Sequence, residues 1–433
     1  MAARFSLLLA ALLGAMHGNA AAQQPADSSG RYLAPLVAAE QAVASLPPQD
    51  WQAYGRERTT ELRDRVLGLN SQVQALGIAR AFAGDTEGAI GAFDLLSRSV
   101  TADRSELAGP LAQVEQARAE DAIQAIVAQA RTRQVVILNE AHHVPMHRAF
   151  AMKLAAALRK IGYSYLACET FSSIDGDMST WAPGQAVINT GYFTKEPVFA
   201  GFVNAALADG WKPVAYEPPS SPDKDRRQRI REREEGQARN LVERIFARDK
   251  HAKVLIYVGY AHVYRSRPSD PPGSIDWMAE HLRRMTGLDM LQVDQTEFYA
   301  HPDKRDESLL YAAITDKFAA REPFVLRAPD GSHPVLPGTK GKIDLQGRVD
   351  MQVIFPRYGQ RDGRAEWLQT LAGRSPRAIP ADLLPKQGRR VIKAFRIGGL
   401  PDAVPADVVL VEAGKPAPAL MLPPGQFRFD YEE

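Results

Sequence analysis

One cysteine in 433 residues, Cys168, rules out an intramolecular disulfide, so stability has to come from a packed core. Cys168 sits inside an apolar run and reads as a buried, inert thiol rather than a nucleophile. An excess of one charge is lacking too: 53 Lys and Arg stand against 51 Asp and Glu, a formal net charge of +2. Nothing in that balance calls for nucleic acid or an anionic membrane as partner. Long apolar runs are missing as well. The one near the start, Phe5 to Met16, is too short to cross a bilayer as a mature helix.

That short run has a different meaning. Arg4 precedes it, and Gly18-Asn19-Ala20-Ala21-Ala22-Gln23 follows, with no cysteine at the cleavage point. A basic start, a short apolar centre and an Ala-x-Ala exit are marks of a secretory signal peptide. The reading is a signal over 1–22 and a mature chain starting near Gln23, exported to a periplasm or secreted, with no integral membrane segment left after cleavage.

A polar linker is followed by helical patterning to about Ala130, a 23–130 segment. Within it Leu76-Gly77-Ile78, the Gly84-Asp85 turn, Ala89 and Phe93 resemble one tetratricopeptide helical hairpin. A single copy suggests a lid or a docking module for a protein partner rather than a free-standing solenoid.

From 131 to 325 strands and helices alternate. Four brief apolar runs end in chemistry-bearing groups: Val135 to Asn139-Glu140-Ala141-His142-His143, Tyr165 to Cys168-Glu169, Pro213 to Tyr216-Glu217, and Val254 to Gly259-Tyr260-Ala261-His262. Such runs suit strands buried on both faces of a parallel sheet, and ligands bind outside the carboxyl ends of such strands. Helices are expected over Pro145–Arg159, over Glu196–Ala208 opened by Thr194 and Pro197, over about Asp223–Arg248, and over Ile275–Met285 capped by Ser274. Met290 to Val293 would be a fifth strand. The fold class is therefore α/β, a Rossmann-like, mostly parallel sheet with helices on both faces, preceded by the helical segment. In 326–433, proline and glycine punctuate short strands that complete the sheet and then form a small β-rich tail.

Glu140, His143 and Glu169 have the chemistry to activate a water, since a carboxylate near an imidazole can hold its tautomer. His143 and His147 are spaced i, i+4, which could serve a metal, but no Cys/His cluster accompanies them; His147 alone reads as a surface or supporting residue. Tyr192, Phe193 and Trp181, in a connecting segment, could flank a bound molecule, and Glu217 precedes a pair of prolines.

The same segments resemble the erythromycin-esterase/ChaN-like superfamily, itself distantly similar to the TIKI/TraB hydrolases. Leu138-Asn139-Glu140-Ala141-His142-His143 is similar to that family's Gly-Glu-Ala-Thr-His signature, and Glu169 matches the glutamate closing its second strand. Arg233-Glu234-Glu235-Gly236-Gln237-Ala238-Arg239-Asn240 resembles its Arg-Asp-x-x-Met-Ala-x-Asn helix, and Gly259-Tyr260-Ala261-His262-Val263 keeps the second histidine of its late His-Asn-x-His-Val motif. The resemblance covers roughly Gln134 to Asp294. It implies a hydrolase acting on an ester or related acyl bond of a small molecule. His143 would be the general base, Glu140 and Glu169 would orient it and the water, and Arg233 and His262 would stabilise the oxyanion. Other members of the family bind haem. The alternative expectation is accordingly a haem- or divalent-metal-binding protein of iron uptake, with His142, His143 or His262 as ligands. A third is an interaction scaffold with a degenerate site.

Overall fold

The computed structural model describes residues 30–45, 60–95, 107–172, 184–219, 224–338 and 344–433, with the backbone alone for 60–69. The expected signal peptide and Trp181 lie outside the described residues.

Among the described residues five helices come early: α1 (Leu33–Ala44), α2 (Thr60–Phe82), α3 (Thr86–Asp94), α4 (Ala108–Gln116) and α5 (Ala122–Ala130). The α2–α3 pair is the hairpin expected from the Gly84-Asp85 turn. The Asp85 carboxylate accepts from the Gly88 N–H at 2.9 Å and caps α3. Gly84 takes φ +80°, and a Cβ there would run into the Val408 carbonyl, so glycine is required twice over.

The central sheet has eight strands: β1 (Arg118–Asp121), β2 (Val135–Glu140), β3 (Tyr165–Cys168), β4 (Lys212–Val214), β5 (Val254–Gly259), β6 (Met290–Phe298), β7 (Phe324–Arg327) and β8 (Met351–Ile354). Their order is β1-β7-β8-β6-β2-β5-β3-β4. The run from β8 to β4 is parallel, and β7 and β1 close one side antiparallel. Helices cover both faces, as β2 illustrates. Val136 and Leu138 point into a core shared with α5 and with α6 (Pro145–Arg159) and α7 (Pro197–Ala208). Val135 and Ile137 point into the core of α8 (Arg226–Leu241) and α9 (Met278–Thr286).

The strand order positions the site. In the common doubly wound order the first strand neighbours the second. Here β5 lies between β2 and β3, in register with both. The carboxyl ends that carry Glu140, His262 and Glu169 are thereby side by side.

Several boundaries differ from expectation. The sheet begins inside the segment read as helical, because Arg118-Ala119-Glu120-Asp121 forms an edge strand too charged to be recognised as one. As expected, a late strand completes it past 325: β8 is inserted between β6 and β7. Glu196, not Thr194, caps α7, accepting from the Val198 and Phe199 N–H groups. Ser274 does not cap α9; the first N–H of that helix, on Met278, donates to Glu234 Oε2.

After a short helix α10 (Leu309–Lys317), the tail holds one short hairpin, β9 (Gln360–Arg361) with β10 (Arg364–Ala365), and helix α11 (Trp367–Thr370). There follow β11 (Ser375–Arg377), β12 (Arg389–Arg396), β13 (Asp407–Glu412), β14 (Leu420–Leu422) and β15 (Phe427–Glu432). The last strands form a β13-β12-β15 sheet, while β11 pairs with β14. Val391, Val408 and Met421 join the main core, and Glu432 accepts from the Tyr32 and Leu33 N–H groups at the start of α1. No helix among the described residues is long and apolar enough to cross a membrane.

Candidate functional site

Glu140 ends β2 with a side chain 2 % exposed, where an unpaired carboxylate would be prohibitively costly. Arg148, on the first turns of α6, meets it with two parallel bonds of 2.8 Å, and the Tyr257 hydroxyl donates to it at 2.8 Å. Burial opposes ionisation, yet the Arg148 charge and these bonds hold Glu140 well below the usual carboxylate range. The fourth contact is His142, whose Nδ1 lies 2.8 Å from Glu140 Oε1. Arg148 also reaches Glu196 Oε2 at 3.2 Å, tying this group to the start of α7.

A second carboxylate–imidazole pair comes from α8 and the end of β5. His262 Nδ1 lies 2.6 Å from Glu234 Oε2, and both side chains are fully buried. Its Nε2 is 3.0 Å from Arg233 Nη1 and 3.4 Å from Glu169 Oε1. Burial disfavours the charged imidazole, but Glu234 and then Glu169 outweigh it, and the His262 pKa is pushed up to about 9.

Glu169 joins the two pairs. Oε1 accepts from Arg233 Nη2 at 2.5 Å and Oε2 from the Gly259 N–H at 2.6 Å. Burial works against its charge, but His262 and Arg233 hold its pKa well below the ordinary value. Gly259 lets His142 approach: a Cβ there would lie 2.5 Å from His142 Cε1 and Nε2, and 3.1 Å from Glu169 Oε2. The Nε2 edge of His142 thus faces the backbone that also holds Glu169. Arg233 and Glu217, 19 % and 30 % exposed, form the side of the cluster nearest solvent, with Arg233 Nε 2.5 Å from Glu217 Oε1.

Of the residues singled out in the sequence, Glu140, Glu169, Arg233, His262 and Glu217 come together. His143 does not join them. Its ring lies flat under Phe93 of α3, and its Nδ1 is 3.2 Å from the Tyr260 hydroxyl. His142, not His143, occupies the expected place beside Glu140, with Nδ1 on its carboxylate. Tyr192 and Phe193 are packing residues: Tyr192 meets Phe82 of α2, and Phe193 stacks on His142 with centroids 3.9 Å apart. His147 supports the turn from within. Its Nδ1 accepts from the Ala141 N–H at 3.1 Å, and burial pushes its pKa down to about 3.

Arg148, Glu196, Tyr257 and Glu234 were not found in the sequence. A signal existed for Arg148, a charge on the same helical face as the buried Ala151 and Ala155, and for Glu234, which stands at the acidic position of the Arg-Asp-x-x-Met-Ala-x-Asn pattern. Glu234 was masked by the acidic and basic residues around it on α8.

The three histidines do not fit haem. His142 is covered by Phe193 and His143 by Phe93, and both nitrogens of His262 are taken up by Glu234 and by Arg233 and Glu169. Among the described residues no three His, Cys, Asp or Glu side chains are grouped to hold a metal ion. The docking face of the α2–α3 hairpin is filled in part by this chain itself, through Phe93 and Phe82.

No protein-family model and no curated protein matches the chain. Solved structures similar to it include one described as bacterial protein toxins, at 18% identity and TM-score 0.31, covering 54% of this chain and 47% of that one. Another is the type III effector HopBA1, at 14% identity and TM-score 0.30, covering 43% and 88%. A third is RRSP, a MARTX toxin effector domain from Vibrio vulnificus, at 17% identity and TM-score 0.31, covering 62% and 54%. The match thus spans about half the length of the first and third of these chains.

Proposed function

We propose that the chain is an exported hydrolase that cleaves an ester or related acyl bond of a small molecule with water. One observation carries this reading: two imidazoles, each held at Nδ1 by a glutamate, lie beside the same carboxylate, Glu169, and a half-buried arginine. Their environments separate their tasks. His142, oriented by Glu140, is the base that takes a proton from water as its oxygen attacks the acyl carbon. His262, charged and next to Arg233, stabilises the oxyanion and delivers its Nε2 proton to the departing alkoxide as the C–O bond breaks. Glu169 and Glu217 hold Arg233 until substrate takes over part of its bonding. The resemblance of the four motifs to the erythromycin-esterase/ChaN-like superfamily supports the same chemistry.

The test is a screen of esters, amides and peptides against the full mature chain, followed by His142→Ala and His262→Ala on any substrate found. Each is expected to lose about 10²–10⁴-fold in kcat with folding retained. Activity of His142→Ala within about twofold of the parent would overturn the assignment.

A further inference from the structure

Two non-glycine residues among those described have positive φ, Asp362 at +52° and Tyr260 at +38°. Asp362 needs no further account, since Asp362-Gly363 is the two-residue turn between β9 and β10, where left-handed backbone is usual. Tyr260 is different. An aromatic side chain in left-handed backbone is strained, and such strain persists only where surrounding contacts enforce it. Those contacts are on the page. Asn139 Nδ2 donates to the Tyr260 carbonyl at 2.9 Å, fixing the turn to the end of β2. The Tyr260 hydroxyl meets His143 Nδ1 at 3.2 Å, and the ring stands edge-on to His142 at 5.2 Å and 86°. Two residues later the chain places His262 between Glu234 and Glu169.

We infer that Tyr260 is a positioning residue: its left-handed backbone ends β5 and turns the chain so that His262 reaches Glu169, while its side chain keeps His142 and His143 apart. The inference deepens the hydrolase reading and rests on it for the activity arm of its test alone. The strain is the cost of bringing an imidazole from the middle strand into line with carboxylates on its neighbours.

The experiment compares Tyr260→Gly, Tyr260→Ala and Tyr260→Phe in the full chain by urea unfolding, by titration of the histidine ring resonances, and by hydrolysis of 4-nitrophenyl acetate. Glycine and alanine both remove the ring and differ in Cβ. Left-handed backbone makes the glycine variant the more stable, by about tenfold in the unfolding constant, the reverse of their usual order. An alanine variant of equal or greater stability overturns the strain. In the alanine variant, which disfavours the left-handed turn and lacks the contacts that enforce it, the His262 titration midpoint is expected to fall from its raised position, with kcat down more than about tenfold and KM little changed, whereas glycine holds the midpoint. An unmoved midpoint overturns the positioning role. Tyr260→Phe keeps the ring and is expected to shift the His143 resonances while leaving the His262 midpoint in place. A midpoint that falls as far as in the alanine variant would assign the effect to the hydroxyl and overturn the inference. If the parent does not hydrolyse the ester, that probe counts against the hydrolase reading, and unfolding and titration still decide the role of Tyr260.

Discussion

The ring of Phe93 lies on the ring of His143 with centroids 3.5 Å apart and planes 6° from parallel. Phe93 belongs to the α2–α3 hairpin and His143 to the β2–α6 turn, so this stack fastens the early helices over the rim of the sheet. Its other side is closed by Gly77, where any Cβ would meet the Phe93 ring.

Removing that cover should be measurable without a substrate. Phe93→Ala is expected to cost about 3 kcal/mol of stability, as for other buried aromatic truncations. It should also raise the rate at which diethyl pyrocarbonate modifies His143, read by peptide mass spectrometry. An unchanged rate would mean that the hairpin does not shield the turn.

Gly259 separates His142 from Glu169, and Gly259→Ala forces a methyl into the His142 ring. The expected cost in stability is about 1–3 kcal/mol, typical of overpacking. Hydrolysis should fall much further than stability, since the displaced ring is the proposed base. Unfolding curves and ester turnover measured on the same preparation would check the difference.

The His262 pKa carries a pH dependence of defined sign. It is raised from 6.5 to about 9 in the folded chain. Its contribution is therefore complete below about pH 6.5 and is lost as pH climbs through 9, amounting to about 3 kcal/mol. Urea unfolding from pH 6 to 10 should show stability falling over that window. Glu234→Gln, which removes the nearest charge, should flatten the slope.

Glu140 and Arg148 should behave as a buried pair. Glu140→Gln leaves the guanidinium only its longer contact to Glu196 as counter-charge and is expected to cost about 3 kcal/mol. A Glu140→Gln/Arg148→Met double variant should recover much of that loss, because the isolated charge disappears. Additive losses in denaturant titrations would show the two side chains to be independent. The Glu140 carboxyl, held well below its ordinary value, also contributes stability above about pH 4 that is lost on acidification.

Much of this arrangement was legible before any coordinates. The helix Pro145–Arg159 has the limits expected of it, and the four apolar runs are strands or strand ends as expected. Glu140, Glu169 and His262 meet at the rim because parallel strands present their carboxyl ends together. The choice between His142 and His143 was not legible. It depends on which ring Gly259 admits and which Phe93 covers, and those residues are remote in the chain.

Local pattern alone was enough for short, apolar strands, buried on both faces, ending in carboxylates and imidazoles, and hence for an α/β sheet with a polar rim. Strand order, the capture of the charged β1 as an edge, and the pairing of each histidine were decided in the folded molecule. The reason is separation along the chain. Hydrophobic periodicity is written into neighbouring residues, whereas Tyr257 reaches Glu140 across 117 positions and His262 reaches Glu234 across 28. Those pairings form only once packing has excluded water and left each buried charge these partners alone within reach.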